Sequence, residues 1–249
     1  MEGSGIEVPH LHIFNSRGVF FDHNGTVVEK DYACELIKNV GEVIIKPIID
    51  TMGAKGVRLL NLTDGVDLRK DESVEKIIES YGSDFIVQEK VVNHESIRRL
   101  YPDSVNTLRV ITFFADGGIQ VAPLSMRIGI GGRVVDNGGI FIGVSPEGLL
   151  SEEGYSKYGI TRYKKHPDTG IVFSGYRIEG VSKIIEAAKM CHSMILQLKM
   201  LSWDLAYNDN GKVTIIEVNT TGQSGWFPQM VTGQSVFGEH TPEMLRYIK

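Results

Sequence analysis

Two cysteines, Cys34 and Cys191, are all that 249 residues carry, far apart and without a Cys-x-x-Cys pairing. A disulfide scaffold is excluded, and free thiols suit a reducing compartment, so a cytoplasmic address is expected. No window approaches eighteen consecutive apolar residues, and Met1 to Val8 lacks the apolar stretch of a signal peptide. An integral membrane protein is therefore not expected. Basic charge is also scarce: 26 Lys and Arg stand against 31 Asp and Glu, for a formal net charge of -5. With the basic residues scattered, a nucleic-acid partner is not expected. Linkers rich in Pro or Ser, low-complexity tracts and repeats of solenoid period are missing too. What is present, 42% hydrophobic and 23% charged, is an ordinary globular composition, long enough for one large domain or two lobes.

The residue pattern is α+β. His10 to Val28 reads as a hairpin, Tyr32 to Val40 as a helix ending at Gly41, and Glu42 to Lys46 as a buried strand closed by Pro47. Strands follow at Val57 to Leu62 and Asp84 to Val92, with a helix over Ser73 to Tyr81 between them. Asn93 to Leu100 is a short helical stretch, and Thr107 to Ala115 with Gly118 to Arg127 forms a hairpin about Asp116-Gly117. Gly129 to Gly175, dense in glycine and turn formers, is expected as surface excursions. The longest helix is expected over Ile178 to Leu201, followed by strands Trp203 to Tyr207 and Val213 to Val218 joined by Asn208-Asp209-Asn210-Gly211.

The last hairpin carries the strongest chemical signal. Side chains alternate faces along strands, so Glu217 and Asn219 point the same way and Asp204 on the partner strand can share their face. Two carboxylates and an amide so placed suit magnesium that completes its shell with water and phosphate. The plain alternative is a hairpin whose outer face is merely polar. Lys46 ends an apolar strand, where burial favours meeting an anion, and Gly53, Ala54 and Gly56 form a loop that can approach phosphates. It is neither a Walker loop nor a dinucleotide fingerprint. Phe85 to Val92 could offer backbone groups to an adenine edge or be an edge strand guarded by Glu89 and Lys90. Arg109 and Arg127 could clamp a phosphoryl group or serve as structural ion pairs. His10 and His12 are explained by strand alternation without a metal.

Together these pieces resemble the ATP-grasp superfamily, and most closely its sugar-transfer-associated branch, found with cell-surface polysaccharide biosynthesis. The resemblance runs from Ile44 to Asn219: Ile-Lys-Pro and its glycine loop, Val-Gln-Glu-Lys-Val-Val, Ser-Val-Asn-Thr-Leu-Arg, and Asp204 with twelve residues before Glu217 and one before Asn219. It implies the ATP-grasp fold, two α+β lobes with the nucleotide between them. Residues 1–88 would form the lobe with the phosphate loop and residues 89–249 the lobe with the magnesium site. It implies ATP and Mg2+ as cofactors, with Lys46, Gly53, Ala54 and Gly56 at the phosphates. Gln88, Glu89 and Val91 would lie at adenine and Asn93 or Glu95 at ribose. Asp204, Glu217 and Asn219 would hold the metal, and Arg109 and Arg127 would steady developing charge.

The implied reaction is ADP-forming carboxylate–amine ligation through an acyl phosphate, with a small-molecule acid and amine as substrates. A kinase acting on a hydroxyl and a non-catalytic ATP-binding module are the alternatives. Only 45 residues precede Lys46, so the family's further N-terminal domain is expected to be missing. Either the chain is truncated, or a partner chain or second copy completes the acceptor site.

Overall fold

The computed structural model describes residues 5–49 and 55–247. Gly53 and Ala54 therefore lie outside the described residues. The chain begins β1 (Ile6–Glu7), β2 (Leu11–Ser16), β3 (Val19–Asp22), β4 (Val27–Val28), α1 (Lys30–Ile37), β5 (Gly41–Pro47) and β6 (Arg58–Thr63). It continues β7 (Val66–Asp67), β8 (Glu72–Ser73), α2 (Val74–Tyr81), β9 (Phe85–Glu89) and α3 (Glu95–Arg98). Then come β10 (Thr107–Ala115), β11 (Gly118–Val121), β12 (Leu124–Ile128), β13 (Ile140–Val144), β14 (Leu150–Ser156) and β15 (Arg162–Tyr163). The last elements are α4 (Val181–Ser193), β16 (Met200–Tyr207), β17 (Val213–Asn219), α5 (Trp226–Thr232) and α6 (Thr241–Met244). Among the described residues no helix is long and apolar enough to cross a membrane.

Two compact units divide the chain: Pro9–Lys90, and a second that starts at Val91 and includes residues 5–8. The first is an eight-stranded sheet in the order β4-β3-β2-β9-β5-β6-β7-β8. Alternate strand residues Ile13, Val43, Ile45, Leu60 and Val87 form its core with Ala33 and Ile37 of α1 and Ile77 and Ile78 of α2. Ser73 caps α2, its hydroxyl accepting from the Lys76 N–H, the expected stop for the orphan donors of a first turn. Strand alternation puts Ile44, Lys46, Ile86 and Gln88 on the face opposite these helices.

The second unit is a nine-stranded sheet, β1-β17-β16-β10-β12-β13-β14-β15 with β11 on β10. Its parallel edge strand β1 pairs Ile6 with Val213, which is why residues 5–8 belong here. Leu108, Val110, Met126, Trp203 and Leu205 face Val181, Ile184 and Ala188 of α4 in the main core. A smaller apolar cluster, Phe141 with Phe227 and Val231, seats α5 on the sheet.

Several expectations change. The second arm of the Asp116-Gly117 hairpin is two strands, because Pro123 lacks the N–H that would continue the ladder. The turn itself has positive φ at both Asp116 and Gly117, 49° and 71°, as a tight hairpin turn requires. The long helix ends at Ser193, not Leu201: buried His192 bonds Thr112 Oγ1 through Nδ1 at 2.7 Å and the Leu198 carbonyl through Nε2 at 2.8 Å, folding the chain back into β16. The glycine-dense segment is no mere excursion, since it holds β13, β14 and β15. Gly139 sits so close to β12 that a Cβ there would lie 1.9 Å from the Ile128 carbonyl oxygen.

Candidate active site

The β16–β17 hairpin fixes the site. At its turn the Asn208 side-chain oxygen accepts from the Lys212 N–H at 3.0 Å, and Gly211 takes φ 77°, so the register is set locally. That register places Asp204 directly opposite Glu217 and Ser202 opposite Asn219, with a bulge just after Asp204. Trp203 and Leu205 enter the α4 core. Asp204, Glu217 and Asn219 consequently share the other face. On the other side of Asp204, β10 presents Arg109 in register, and beyond it β12 pairs Arg127 with Thr107.

Asp204 is 1% exposed and Arg109 7%, so their interaction is largely desolvated. Arg109 donates from Nε to Oδ1 at 2.5 Å and from Nη2 to Oδ2 at 2.9 Å, the bidentate fork that carboxylates match. Arg127 adds a third donor to Oδ2 at 2.8 Å. Its Nη2 also lies 3.5 Å from Asp136 Oδ1. Thr107 links the set: its hydroxyl accepts from Arg127 and donates to Asp136, whose carboxylate also accepts the Thr107 backbone N–H. Burial works against the charge on Arg127, yet Asp136, Asp204 and Glu217 outweigh it and hold the guanidinium above its ordinary value. Burial pushes the Asp136 carboxyl up, against the pull of Arg127 and Thr107.

The donor set fits a divalent cation. A carboxylate has about four lone-pair positions, and Asp204 spends three on guanidinium donors, leaving one on Oδ1. Glu217 is exposed. The Asn219 side-chain nitrogen is buried without a hydrogen-bond partner, as is the hydroxyl of Ser202 opposite it. A half-turn of the Asn219 amide presents its oxygen at the same place. Unsatisfied polar atoms on this face are what a site for a hydrated, phosphate-bound ion leaves when only protein atoms are counted.

Arg109 is tied at its fork by Asp204 and covered by Phe227, whose ring centre lies 5.7 Å from Cζ. It is a brace for Asp204, whereas Arg127, more open at 14% side-chain exposure, is better placed to meet an anion. Asn93 is paired with Asn106. Its amide donates to the Asn106 carbonyl at 3.1 Å and accepts from the Asn106 N–H at 2.7 Å, buried at 3% exposure. Those bonds tie it to the segment that leads into β10. Val91 is buried and Glu95 is exposed in the first turn of α3, beside Arg99.

In the Pro9–Lys90 unit, Ile44 pairs with Gln88 and Lys46 with Ile86, so Lys46 and Gln88 are diagonal neighbours on the helix-free face. Glu89 donates its N–H to the His10 carbonyl and accepts the His10 N–H on its carboxylate. Gly56 has φ 79°, and a Cβ there would meet Pro47 at 2.9 Å; its carbonyl accepts from Tyr81 at 2.6 Å. Gly56 thus packs against Pro47, the last residue of β5.

Asp136, Thr107, Ser202 and Phe227 join this face without having been singled out in the sequence. Thr107 lies inside the quoted Asn-Thr-Leu-Arg, and that was the available signal. Asp136 is hidden in a glycine-rich run whose composition suggests only turns. His166, set in its loop, is fully buried, with Nε2 on the Gly129 carbonyl at 2.8 Å, and it holds that loop to the sheet.

A family model described as "Sugar-transfer associated ATP-grasp" matches residues 1–243. Among solved structures, the chain is similar to the ADP complex of purK, N5-carboxyaminoimidazole ribonucleotide synthetase. There the TM-score is 0.54 and the identity 16%, over 96% of this chain and 47% of the other. It is also similar to the ATP-grasp ligase PsnB complexed with minimal precursor, Mg and ADP, with TM-score 0.51 and identity 12%, over 98% and 54%. At such identities the likeness is one of fold, and the chain spans about half the length of these structures. A comparison with curated proteins finds no match. The α+β architecture of two sheets is thus the ATP-grasp fold, and the chain belongs to the sugar-transfer associated ATP-grasp family.

Proposed function

We propose that this chain is an ATP-dependent carboxylate–amine ligase, ADP-forming, that works through an acyl phosphate on a precursor of a cell-surface polysaccharide or glycoconjugate. The observation that supports it most is the register of Asp204 against Glu217, with Asn219 on their face and two guanidinium groups behind.

Magnesium, when bound, supplies charge neutralisation at the phosphates and alignment of the transferred group. Asp204, Glu217 and Asn219 would hold it, and Arg109 keeps the Asp204 carboxylate aimed by filling its outer lone pairs. Arg127 steadies negative charge that develops on the transferred phosphoryl and on the acyl phosphate. Lys46, with the loop of Gly53, Ala54 and Gly56, neutralises phosphate. Gln88 and the backbone of Glu89 and Val91 border adenine, and Asn93 or Glu95 reaches ribose. Positioning and charge neutralisation carry phosphoryl transfer, and no nucleophilic side chain is required. A carboxylate substrate attacks the terminal phosphorus of ATP and ADP leaves; an amine then displaces phosphate from the acyl carbon, losing a proton.

The test is thermal stability with ATP and magnesium. Ligand at about a hundred times its dissociation constant stabilises by about 2.7 kcal/mol; wild type should gain this and Glu217→Ala should lose most of it. Equal gains in both proteins would remove the metal assignment. Product analysis then reads the chemistry. Free phosphate formed only with both acid and amine supports ligation, while a stable phosphoester would replace it with hydroxyl phosphorylation.

A further inference from the structure

A second group of ligating side chains lies at the far end of β10. Asp116, His240 and Glu243 bring one ligand atom each within 4.8 Å of one another. Asp116 stands seven residues along the strand from Arg109, about 23 Å at roughly 3.3 Å per residue. This group is therefore separate from the Asp204 face.

Its elements are held independently of any ion. Asp116 occupies the first turn position with φ 49°. The His240 ring packs edge-on against Phe113 at 5.9 Å, and α6 is anchored by Met244 in a core with Ile111, Phe113 and Val236. The contacts within the group are weak as protein contacts. His240 Nδ1 lies 3.3 Å from Asp116 Oδ2, beyond the ~2.7–2.9 Å of a charge-assisted hydrogen bond. Glu243 accepts the Asp116 N–H only at 3.4 Å. Yet 3.3 Å is the separation of two ligands about 2.05 Å from a tetrahedral ion. The adjoining cavity, of about 680 Å³, is lined by three carboxylates, Asp116, Glu239 and Glu243, against one guanidinium, Arg246. The charge there favours a cation.

We propose that Asp116, His240 and Glu243 bind a divalent transition ion, zinc by preference, which ties the C-terminal segment to the β10–β11 turn. An imidazole nitrogen beside two carboxylates suits zinc, whereas magnesium prefers an all-oxygen shell. Three protein ligands leave the fourth position to water.

The experiment uses the full chain, stripped with chelator and without nucleotide, titrated with zinc or magnesium chloride while thermal stability and zinc affinity are measured. Zinc should stabilise the protein, whereas any magnesium response belongs to the Asp204 face and should be unchanged in variants of this group. Asp116→Asn, which keeps a residue tolerant of positive φ, and His240→Gln should each weaken zinc by at least about tenfold. Circular dichroism checks that both fold. Glu217→Ala should keep the full zinc response, which separates this site from the proposed nucleotide site. No zinc effect on the wild type would overturn the proposal. So would an effect that both variants retain, for it would place zinc elsewhere.

Discussion

Asp204→Asn separates holding the fold from holding the ion. In the wild type one buried carboxylate accepts from Arg109 twice and from Arg127 once. Asparagine keeps the shape but loses the charge, and its amide nitrogen turns donor against donor. Breaking a buried ion pair by removing one partner costs about 3–5 kcal/mol, because the remaining charge is left uncompensated. Arg109 at 7% exposure cannot recover that in water. For a protein of this size about 2–4 °C of melting temperature accompanies each kcal/mol, so Asp204→Asn should melt roughly 6–20 °C lower without any ligand. Glu217→Gln, on the same face but exposed, should move the melting point by no more than about 2 °C. Both should lose the stabilisation by ATP and magnesium. The assay is thermal melting of the three proteins with and without nucleotide, with circular dichroism to confirm structure. If Asp204→Asn melted within about 2 °C of wild type, the network would not depend on that carboxylate, and the reading of Arg109 as its brace would fail.

Phe227→Ala removes a ring that stacks on Phe141 at 4.4 Å and covers Arg109; a loss of about 3–5 kcal/mol is expected in denaturant unfolding. Gly139→Ala pushes a methyl into the Ile128 carbonyl oxygen and should yield little folded protein by soluble expression and circular dichroism. Burial holds His192 below the ordinary histidine range, with the Leu198 carbonyl only partly opposing. Its neutral form is the folded one, so that stability is present above about pH 6.5 and is lost as pH falls below it. The melting temperature should drop from pH 6.5 to 5 more steeply in wild type than in His192→Gln, by up to about 1.4 kcal/mol per pH unit.

Legibility followed locality. The β16–β17 hairpin could be read because a four-residue turn signal and strand alternation together fix which residues face each other, and Asp204, Glu217 and Asn219 need nothing more distant. The strand positions of Lys46 and Gln88 were legible for the same reason, because their strands have clear apolar partners. What escaped depends on tertiary partners. Ile140–Val144 is buried throughout, so it has no alternation to betray a strand, and glycines around it read as loop. The end of α4 is set by His192 reaching Thr112 and Leu198, contacts that no periodicity records. Asp136 is recognisable only once Arg127 and Thr107 stand beside it, and the pairing of Asn93 with Asn106 is likewise tertiary.

The charges on the Asp204 face give the arginines a part in the proposed metal and nucleotide site. Asp204, Asp136 and Glu217 bring three carboxylates, and Arg109 and Arg127 two guanidiniums. With all three carboxylates ionised this part of the site is one charge negative. A dication then turns the face positive, the sign a polyphosphate requires, whereas without the arginines the same ion would leave the three carboxylates one negative charge in excess. Removing Arg127 should therefore weaken ATP more than magnesium. Arg127→Met should keep a magnesium response at Glu217 while losing at least about tenfold in ATP affinity, one charge-assisted contact being worth about 1.5–3 kcal/mol. Calorimetric titration of each ligand alone and together measures both. Equal losses for ion and nucleotide would make Arg127 merely another support for Asp204.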